Sequence, residues 1–552
     1  MNIIPQFVLK TLIHYLPALL DWFSTRIYAD LIGQADDHLL VQVNELLDLA
    51  PLEAACAAYH HESGPGTRPK HTVPRLVRAL LVQQLYGWSQ RESEIQIRFN
   101  LVVKWFVGYA LYARGPDHST LSRFEQWVDL HQHRTLFDEV LRQIDAAFPE
   151  QRSQEQIGDT FAMRADAAQE TLIGLLRHTC RRLLRVLRQA DPARAEWVGQ
   201  RLDQEALFGP EKEMPEYRLQ KKERAARLQT TVLAALSCAK LVRQALETAP
   251  YLPLPARTAV KEWLARLHKV VDDNVAIEGQ EGDTAAVSEL TAKKKGSYRL
   301  GSATDPDATY RKHRDDTTLG YNVQLAASDD FVREISAHTG AEPDEVSVPD
   351  LLVAQRERHD LLPPKLIYDA AAGKGKTFAR VRQVSDGKTQ LVAPIIDYDR
   401  RRKRFGPRDF DLSEDGQTLT CPNAKSSDIA YRSRSGEGRD FRFHPSLCRD
   451  CPLWEQCRAQ KPGSKAYRKV FISDYRLDLD AARAYNQTEA FAADRKRRPR
   501  IERFVAELVR YNGARRARRR GHRAADFQAK GAGMALNLKR WVRLRRSRTS
   551  PA

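Results

Sequence analysis

The chain has 552 residues, of which 42 % are hydrophobic and 29 % charged, a composition typical of soluble globular proteins. This balance excludes a disordered, collagen-like or fibrous chain. The most apolar stretch, residues 3–23, is interrupted by Lys10, His14 and Asp21, so we expect neither a membrane span nor a signal peptide. Seven cysteines in such a chain argue against a disulfide framework and favour a cytoplasmic protein.

Positive charge is concentrated at the C-terminal end of the chain. The formal net charge is +18, and residues 495–552 contain 20 lysines and arginines against three acids. The remainder of the chain is therefore almost neutral. A basic end on a neutral body is typical of a region that binds a polyanion, and its interleaved apolar residues favour nucleic acid over a solubilising tail.

Residues 1–150 are predicted to be helical. Thr72 and Pro74 open a first turn, after which apolar residues recur at helical spacing as far as Leu85. Ser89 and Glu92 form the pattern of a capping box at the start of the next helix. Short helices joined by a turn are compatible with a helix-turn-helix DNA reader, although any small helical bundle has the same pattern.

Strand and helix patterns then alternate along the chain. Residues 157–164 predict a short strand, and helical periodicity returns from about residue 170 to about residue 275, before a polar linker over 278–297. Further strands are predicted over 321–327, 331–335, 365–369 and 391–396, with a helix over 346–358. Strands separated by a helix indicate a mixed α/β sheet.

Three acids stand where a metal site can form. Asp159 lies within a predicted strand, Asp369 ends another, and Glu502 lies on a predicted helix. Carboxylates that meet at the ends of strands can hold two Mg²⁺ ions about 4 Å apart, which activate the attacking oxygen and stabilise the leaving oxygen in phosphoryl transfer. A single acid at a strand end is more often a turn-former or helix cap, and chain spacing alone does not bring these three together.

Short motifs follow one another in a fixed order along the chain. They are PDHSTLSRF at 116–124, DTFAMRADAA at 159–168, DPDA at 305–308, GYNVQLA at 320–326, LIYD at 366–369, IERF at 501–504, GARRAR at 513–518 and ALNLKRW at 535–541. Each is weak alone, but the ordered set resembles bacterial insertion-sequence transposases of the DDE type, in the branch with a cysteine-bearing insertion.

The resemblance implies a mixed α/β fold with a ribonuclease-H-like catalytic core and two insertions. The implied regions are a helical N-terminal DNA-binding region over 1–150, core strands over 151–170 and 300–400, a helical insertion and linker over 171–299, a cysteine-bearing insertion over 401–490, and a catalytic helix with an arginine-rich DNA-binding segment over 491–552. The resemblance also implies that Asp159, Asp369 and Glu502 are catalytic and hold two Mg²⁺ ions, for which Mn²⁺ could substitute.

The implied reaction is cleavage of DNA at the element ends by water, followed by attack of the freed 3′-hydroxyl on target DNA. The implied partners are the terminal inverted repeats and the target duplex, bound by a homodimer or larger assembly at the nucleoid. Two alternatives stay open: a catalytically inactive, repressor-like DNA-binding descendant, and a ribonuclease-H-like nuclease without strand transfer. A zinc-dependent RNA-binding protein would explain the charge and cysteines but not the ordered acids.

The sequence departs from the family pattern near two of the acids. Asp369 is followed by three alanines where the family usually has a Gly-Tyr turn, and Val509 stands seven residues after Glu502, where a basic residue is common. Glu507 is a rival third acid. It lies five residues from Glu502, about 140° round a helix, so only one of them can face the metals, and we expect it to be Glu502.

Four of the seven cysteines fall within 37 residues: Cys421, Cys448, Cys451 and Cys457. Four thiolates can complete a tetrahedral structural Zn²⁺ site, and His444 could replace one of them. The alternative is a set of free cytoplasmic thiols.

The arginine-rich segment is predicted to contact the DNA backbone. Five of its arginines fall within six positions and cannot share one helix face, which suits a surface that touches phosphates. The predicted DNA-binding residues are Arg510, Arg515, Arg516, Arg518, Arg519, Arg520 and Arg523.

Overall fold

The computed structural model describes residues 6–62, 70–248, 252–279, 285–313, 316–395, 404–461 and 464–549. A helical N-terminal region comes first, as predicted. Its helices are α1 (Gln6–Ile32), α2 (Leu39–Leu46), α3 (Ala50–Ala55), α4 (Tyr59–Glu62), α5 (Val73–Tyr86), α6 (Gln90–Phe99), α7 (Leu101–Val107), α8 (His118–His131) and α9 (Thr135–Ala147). Thr72 and Ser89 precede α5 and α6 as N-caps, and Ser89 Oγ accepts a hydrogen bond from the Glu92 amide at 3.2 Å. Among the described helices, none combines the length and apolarity that crossing a membrane requires.

Strand β1 (Gln156–Arg164) leads into a helical insertion that has a hydrophobic core of its own. The insertion consists of α10 (Leu172–Ala190), α11 (Pro192–Arg201), α12 (Gln204–Phe208), α13 (Lys221–Glu247), α14 (Leu254–Asn274) and a hairpin of β2 (Val275–Glu278) and β3 (Ala286–Glu289). The stretch predicted as a linker over 278–297 therefore contains β3. Residues 280–284 of that linker lie outside the described residues.

A six-stranded mixed sheet forms the centre of the protein. Besides β1, its strands are β4 (Thr309–His313), β5 (Asp316–Ala327), β6 (Val332–Thr339), β7 (Lys365–Ile367) and β8 (Gln390–Val392). Helix α15 (Asp344–His359) connects β6 to β7, and α16 (Gly375–Val384) connects β7 to β8. Strand β5 pairs antiparallel with β1, β4 and β6, whereas β1, β7 and β8 run parallel, so the order is β4–β5–β1–β7–β8, with β6 also paired to β5. The predicted strands correspond to β1, β5, β6, β7 and β8, and Ile396 lies outside the described residues.

The cysteine-bearing region and the C-terminal helices follow the sheet. They comprise β9 (Asp411–Leu412), β10 (Leu419–Thr420), β11 (Ser426–Ser427), β12 (Ala430–Arg432), β13 (Gly438–Phe443), α17 (Pro445–Cys448), α18 (Trp454–Cys457), β14 (Arg468–Ser473), α19 (Arg476–Tyr485), α20 (Glu489–Arg497), α21 (Ile501–Tyr511) and α22 (His522–Thr549). Two three-stranded sheets in this region surround a small core that includes Phe410, Phe441 and Phe443.

The N-terminal helices share one hydrophobic core with the central sheet. Helix α22 packs against β6, α9 and α5, so that Leu80, Phe137, Ile335 and Leu536 are buried in the same cluster. The predicted boundary at residue 150 therefore lies inside a continuous core, whereas the insertion predicted over 171–299 has a separate one.

His133 joins the N-terminal helices to α22 through two carboxylates. Its Nδ1 lies 2.8 Å from Asp129 Oδ1 and its Nε2 lies 2.7 Å from Asp526 Oδ2. Burial alone would lower the pKa of His133, but the hydrogen bonds to Asp129 and Asp526 outweigh burial and raise this pKa. The protonated imidazole can donate to both acids at once, so the charged form is the one that fits.

We expect this bridge to make stability depend on pH. Because the pKa of His133 is higher in the folded than in the unfolded state, its stabilisation is complete below about pH 6.5 and is lost as the pH rises through the folded-state pKa. His133→Gln should therefore lower the free energy of unfolding by about 1–2 kcal/mol near pH 6 and by less near pH 9. Urea unfolding at both pH values measures this difference, and an equal loss at both would contradict the charged bridge.

Candidate active site

Asp159 and Asp369 lie side by side at the centre of the sheet. Strands β1 and β7 pair in parallel with Ile157 opposite Ile367, so two residues further along Asp159 comes beside Asp369. Because side chains alternate along a strand, both acids share the face on which Ile157 and Ile367 enter the large core. The Asp159 side chain is 18 % exposed and that of Asp369 41 %, so both remain accessible to a ligand.

Two glycines fit the backbone closely around these acids. A Cβ at Gly158 would lie 2.0 Å from Cε2 of Tyr368, so only glycine lets this ring pack under β1. The Asp369 carboxylate accepts a hydrogen bond from the Ala371 amide at 2.9 Å and caps a short turn through the three alanines. A Cβ at Gly373 would lie 2.2 Å from the Pro394 carbonyl oxygen, so the glycine that ends this turn is required by a close backbone approach.

One guanidinium contacts all three predicted catalytic acids. Arg498 lies just before α21, with Nη2 2.9 Å from Asp159 Oδ2 and 4.0 Å from Asp369 Oδ2. Its Nη1 lies 3.7 Å from Glu502 Oε1. The three acids, distant in sequence, are thus grouped round a single cation. Arg498 was not among the predicted site residues, although its position four residues before Glu502, just ahead of a helix, was a signal for it.

The charge of Asp159 is only partly compensated at this site. Burial raises the pKa of Asp159, Arg498 and the Thr160 amide act to lower it, and Asp369 raises it again, so that the net shift is upward. Three carboxylates are hard oxygen donors of the kind that Mg²⁺ prefers, and they fit a divalent cation in chemical type. In the described part of the chain no three His, Cys, Asp or Glu side chains stand at metal-ligand spacing, since the acids are spread round Arg498.

The two candidate glutamates of α21 have different surroundings. Glu502, in the first turn, is 67 % exposed and faces Arg498. Glu507 instead pairs with the buried Arg540 of α22, whose Nη2 lies 2.9 Å from Glu507 Oε1. The same guanidinium lies over the ring of Phe504, 3.6 Å from its centroid. Glu507 therefore has a structural partner, and Glu502 is the glutamate beside the two aspartates.

The DPDA and GYN motifs hold the start of α22. The Tyr321 hydroxyl donates to the Asp305 carboxylate at 2.7 and 2.8 Å. Asp305 in turn accepts the Gly521 amide at 3.2 Å, and Asp307 accepts the His522 amide at 3.0 Å. Carboxylates at the first amides of a helix satisfy donors that have no partner within the helix, so these motif acids have a structural role.

The arginine-rich segment contains arginines with partners inside the protein as well as arginines exposed to solvent. Residues 512–521 form turns between α21 and α22, and several arginines reach partners in the N-terminal helices. Arg518 donates to the Trp88 carbonyl at 2.9 Å and to Gln84 Oε1 at 2.7 Å, and burial lowers its pKa. Arg519 and Arg523 donate to Asp129.

Arg523 is itself exposed, and the remaining predicted arginines are also open to solvent. Arg516 and Arg520 lie 3.5 and 3.9 Å from Asp166, and both are exposed. Arg510 and Arg515 are also exposed. The sequence could not distinguish these two groups, because the acids and carbonyls that bind the inner arginines lie about 400 residues earlier.

The four clustered cysteines lie outside the strands of the small C-terminal sheets: Cys421 follows β10, Cys448 and Cys457 end α17 and α18, and Cys451 lies between these two helices. Cys421, Cys448 and Cys457 pack against the aromatic core of this region, and all seven cysteines are free thiols. Burial raises the pKa of Cys448, Arg458 acts to lower it, and Cys457 and Cys451 raise it again, so that the net shift is upward. His444 caps α17 by accepting the Ser446 amide at 3.2 Å, which assigns it a different role from that of a thiol substitute.

Comparison with known protein families gives two matches along the chain. Residues 30–127 match a family described as a transposase domain (DUF772), and residues 420–542 match one described as a transposase DDE domain. Neither a curated protein nor a solved structure matches the chain. The first match covers most of the N-terminal helices; the second contains Glu502 and the arginine-rich segment. Two separate stretches of the chain are thus similar to transposase domains, and proteins with the DDE domain are phosphoryl-transfer enzymes that generally use divalent metal ions.

Proposed function

We propose that this protein is the DNA transposase of an insertion sequence and that Asp159, Asp369 and Glu502 form its catalytic centre. The observation that carries the proposal is the grouping of these three acids round Arg498. The sheet order gives further support. Strand β1 has an antiparallel hairpin on one side and two parallel strands on the other. This arrangement suits the ribonuclease-H-like core that a DDE domain implies.

For an in-line displacement, two of the carboxylates lie on rigid strands and the third lies on an exposed helix turn. Two Mg²⁺ ions, when bound, would activate the attacking oxygen and stabilise the leaving one. Asp159 and Asp369 fix two carboxylates on neighbouring parallel strands, and Glu502 supplies the third from the exposed first turn of α21. Arg498 holds these like charges together and must release them as cations bind. Water attacks first at the element end, and the freed 3′-hydroxyl attacks target DNA, with no covalent enzyme intermediate.

Exposed cations flank this centre and suit the phosphates of the element ends and of target DNA. Arg495 and Lys496 of α20 and Arg503 and Arg510 of α21 are exposed, and no acid in the described ranges pairs with them. Such contacts position the duplex without reading its sequence. Bringing two element ends together would require at least a homodimer, acting at the nucleoid in the bacterial cytoplasm.

The four clustered cysteines form a proposed structural zinc site. Thiolates from Cys421, Cys448, Cys451 and Cys457 would complete a tetrahedral set with no open position for chemistry. The support is their number within a short stretch and the packing of Cys421, Cys448 and Cys457 against the small aromatic core, where little apolar surface is otherwise available for stability. Purified protein that contains no zinc by metal analysis would contradict this site.

A cleavage and joining assay tests the proposed function. Protein and Mg²⁺ are incubated with a labelled duplex that carries the DNA flanking its own gene, beside Asp369→Asn. Asparagine keeps an oxygen that can accept the Ala371 amide, so the turn is preserved while the charge is lost. We expect joined product from the wild type alone. Cleavage without joining would favour the nuclease, and binding without cleavage by both proteins would favour the inactive DNA-binding descendant.

A further inference from the structure

We propose that the exposed face of α6 is the surface that reads DNA sequence, in the major groove of a duplex. This inference rests on the proposed function, because it names the part of the protein that recognises the DNA substrate. It assigns base recognition to the N-terminal helices and gives the inner arginines of residues 513–523 a supporting role.

Helices α5 and α6 form a compact helix-turn-helix unit. Helix α5 ends at Gly87, whose φ of 66° is left-handed, and Ser89 caps α6 after a turn of only three residues. Ser93 and Ile97 of α6 are buried, so the opposite side of the helix faces solvent. In helix-turn-helix proteins the second helix enters the major groove and contacts base edges with its exposed side chains.

The exposed face of α6 has the side chains that such contact requires. Arg91, Ile95 and Arg98 are exposed and lie at positions i, i+4 and i+7, on one side of the helix. Arginine can bind guanine through two hydrogen bonds, and an apolar side chain can contact the thymine methyl group. Two further arginines on the neighbouring segment, Arg114 and Arg123, are also exposed.

Two acids near this face have partners within the protein. Glu94 lies 2.8 Å from His118 Nδ1, and Glu125 is buried. No acid in the described part of the chain pairs with Arg91 or Arg98, and the Arg98 guanidinium lies over the Phe99 ring, 5.0 Å from its centroid. The four exposed arginines outnumber the two other acids, Glu92 and Asp117, so the surface is net positive, which favours a polyanion over an acid-poor protein partner or a second copy of the chain.

The start of α6 is fastened to the segment that follows the catalytic helix. Gln90 Nε2 donates to buried Glu125 at 2.5 Å, and Arg519 Nε lies 3.7 Å from the same carboxylate. The Trp88 carbonyl in the turn accepts from Arg518 at 2.9 Å. A Cβ at Gly87 would lie 3.2 Å from the Gly513 nitrogen, so the two backbones meet at glycines.

These contacts fix the reading helix in relation to the catalytic acids. Residues 513–519 follow α21 directly, and α21 carries Glu502. A protein that cuts at a defined distance from a recognised sequence needs such a rigid connection. The burial of Arg518 is then explained, since its contacts maintain the spacing between the two sites.

A binding experiment on the full chain tests the role of α6. Fluorescence anisotropy is measured in EDTA, so that no strand is cut, on the duplex that flanks the gene and on a scrambled duplex of the same composition. The variant is Arg91→Ala with Arg98→Ala. Its matched control is Arg185→Ala with Arg188→Ala, two exposed arginines of α10 in the insertion, which removes the same charge.

We expect the wild type and the control to prefer the flanking duplex, and the α6 variant to bind it about 10- to 100-fold more weakly and to lose the preference. Thermal unfolding confirms that all three proteins are folded. The proposal would be overturned by any of three results: an α6 variant that still prefers the flanking duplex, a control that loses as much affinity as the α6 variant, or a wild type that shows no preference. If the wild type still cuts and joins DNA, only the assignment to α6 fails; if it binds neither duplex, the proposed function fails as well.

Discussion

Glu502→Gln is expected to abolish strand cleavage, whereas Glu507→Gln is expected to preserve the chemistry and reduce stability. Glu502 is exposed and faces Arg498 across 3.7 Å, so glutamine there removes the charge proposed to bind metal, with little effect on packing. We expect cleavage to fall by about a thousand-fold or more. Glu507 pairs with the buried Arg540, and its neutralisation should cost about 1–3 kcal/mol of unfolding free energy.

The two glutamates are matched controls for each other, because both lie on α21 and lose the same charge. Cleavage of the labelled duplex measures the first effect, and urea unfolding measures the second. An active Glu502→Gln protein together with an inactive but folded Glu507→Gln protein would transfer the third catalytic acid to Glu507. Equal loss of activity in both would indicate that the charge of α21 as a whole matters, and would remove the distinction drawn here.

Local patterns predicted the elements that carry the acids. Alternation along β5 and the short apolar run of β7 are strong signals, since one buried face imposes a period of two on a strand. The cap at Ser89 was visible for a similar reason, because a helix start needs an acceptor for its first amides; Thr72 occupies the N-cap position of α5 without a side-chain hydrogen bond. The ordered motifs then indicated which acids belong together.

Contacts between distant segments could not be predicted in the same way. Arg498 meets Asp159 only because the sheet sets β1 beside β7 and α21 packs over that face. The arginine-rich segment has a composition typical of DNA contact, yet Arg518 is enclosed by the turn between α5 and α6. Composition reports charge, but the partner that neutralises a charge is set by tertiary structure. The same limitation hid the continuity of the core across residue 150.

A buried ion pair between β6 and α9 is expected to be one of the single interactions that most stabilise the packing of the N-terminal helices against the sheet. Arg333 of β6 is fully buried and bonds to Asp145 of α9, which is also buried. Burial lowers the pKa of Arg333, and Asp145 opposes that effect. Asp145→Ala would leave a buried cation that already has Nε and Nη2 without partners, so we expect a loss of about 3–5 kcal/mol in unfolding free energy.

The double variant Asp145→Leu with Arg333→Met distinguishes the cost of leaving one buried charge unpaired from the contribution of the ion pair itself. Replacing both charges by apolar groups of similar size is often neutral, so the double variant should recover most of the stability lost by Asp145→Ala. Urea unfolding of the wild type and the variants measures this recovery. Arg152 lies 3.7 Å from Asp145 but is much more exposed, so it can turn to water when the acid is removed. If Asp145→Ala unfolds at the same urea concentration as the wild type, the pair does not hold α9 to the sheet, and other contacts, such as the Arg134–Glu334 ion pair and the apolar contacts of α22, must stabilise that junction.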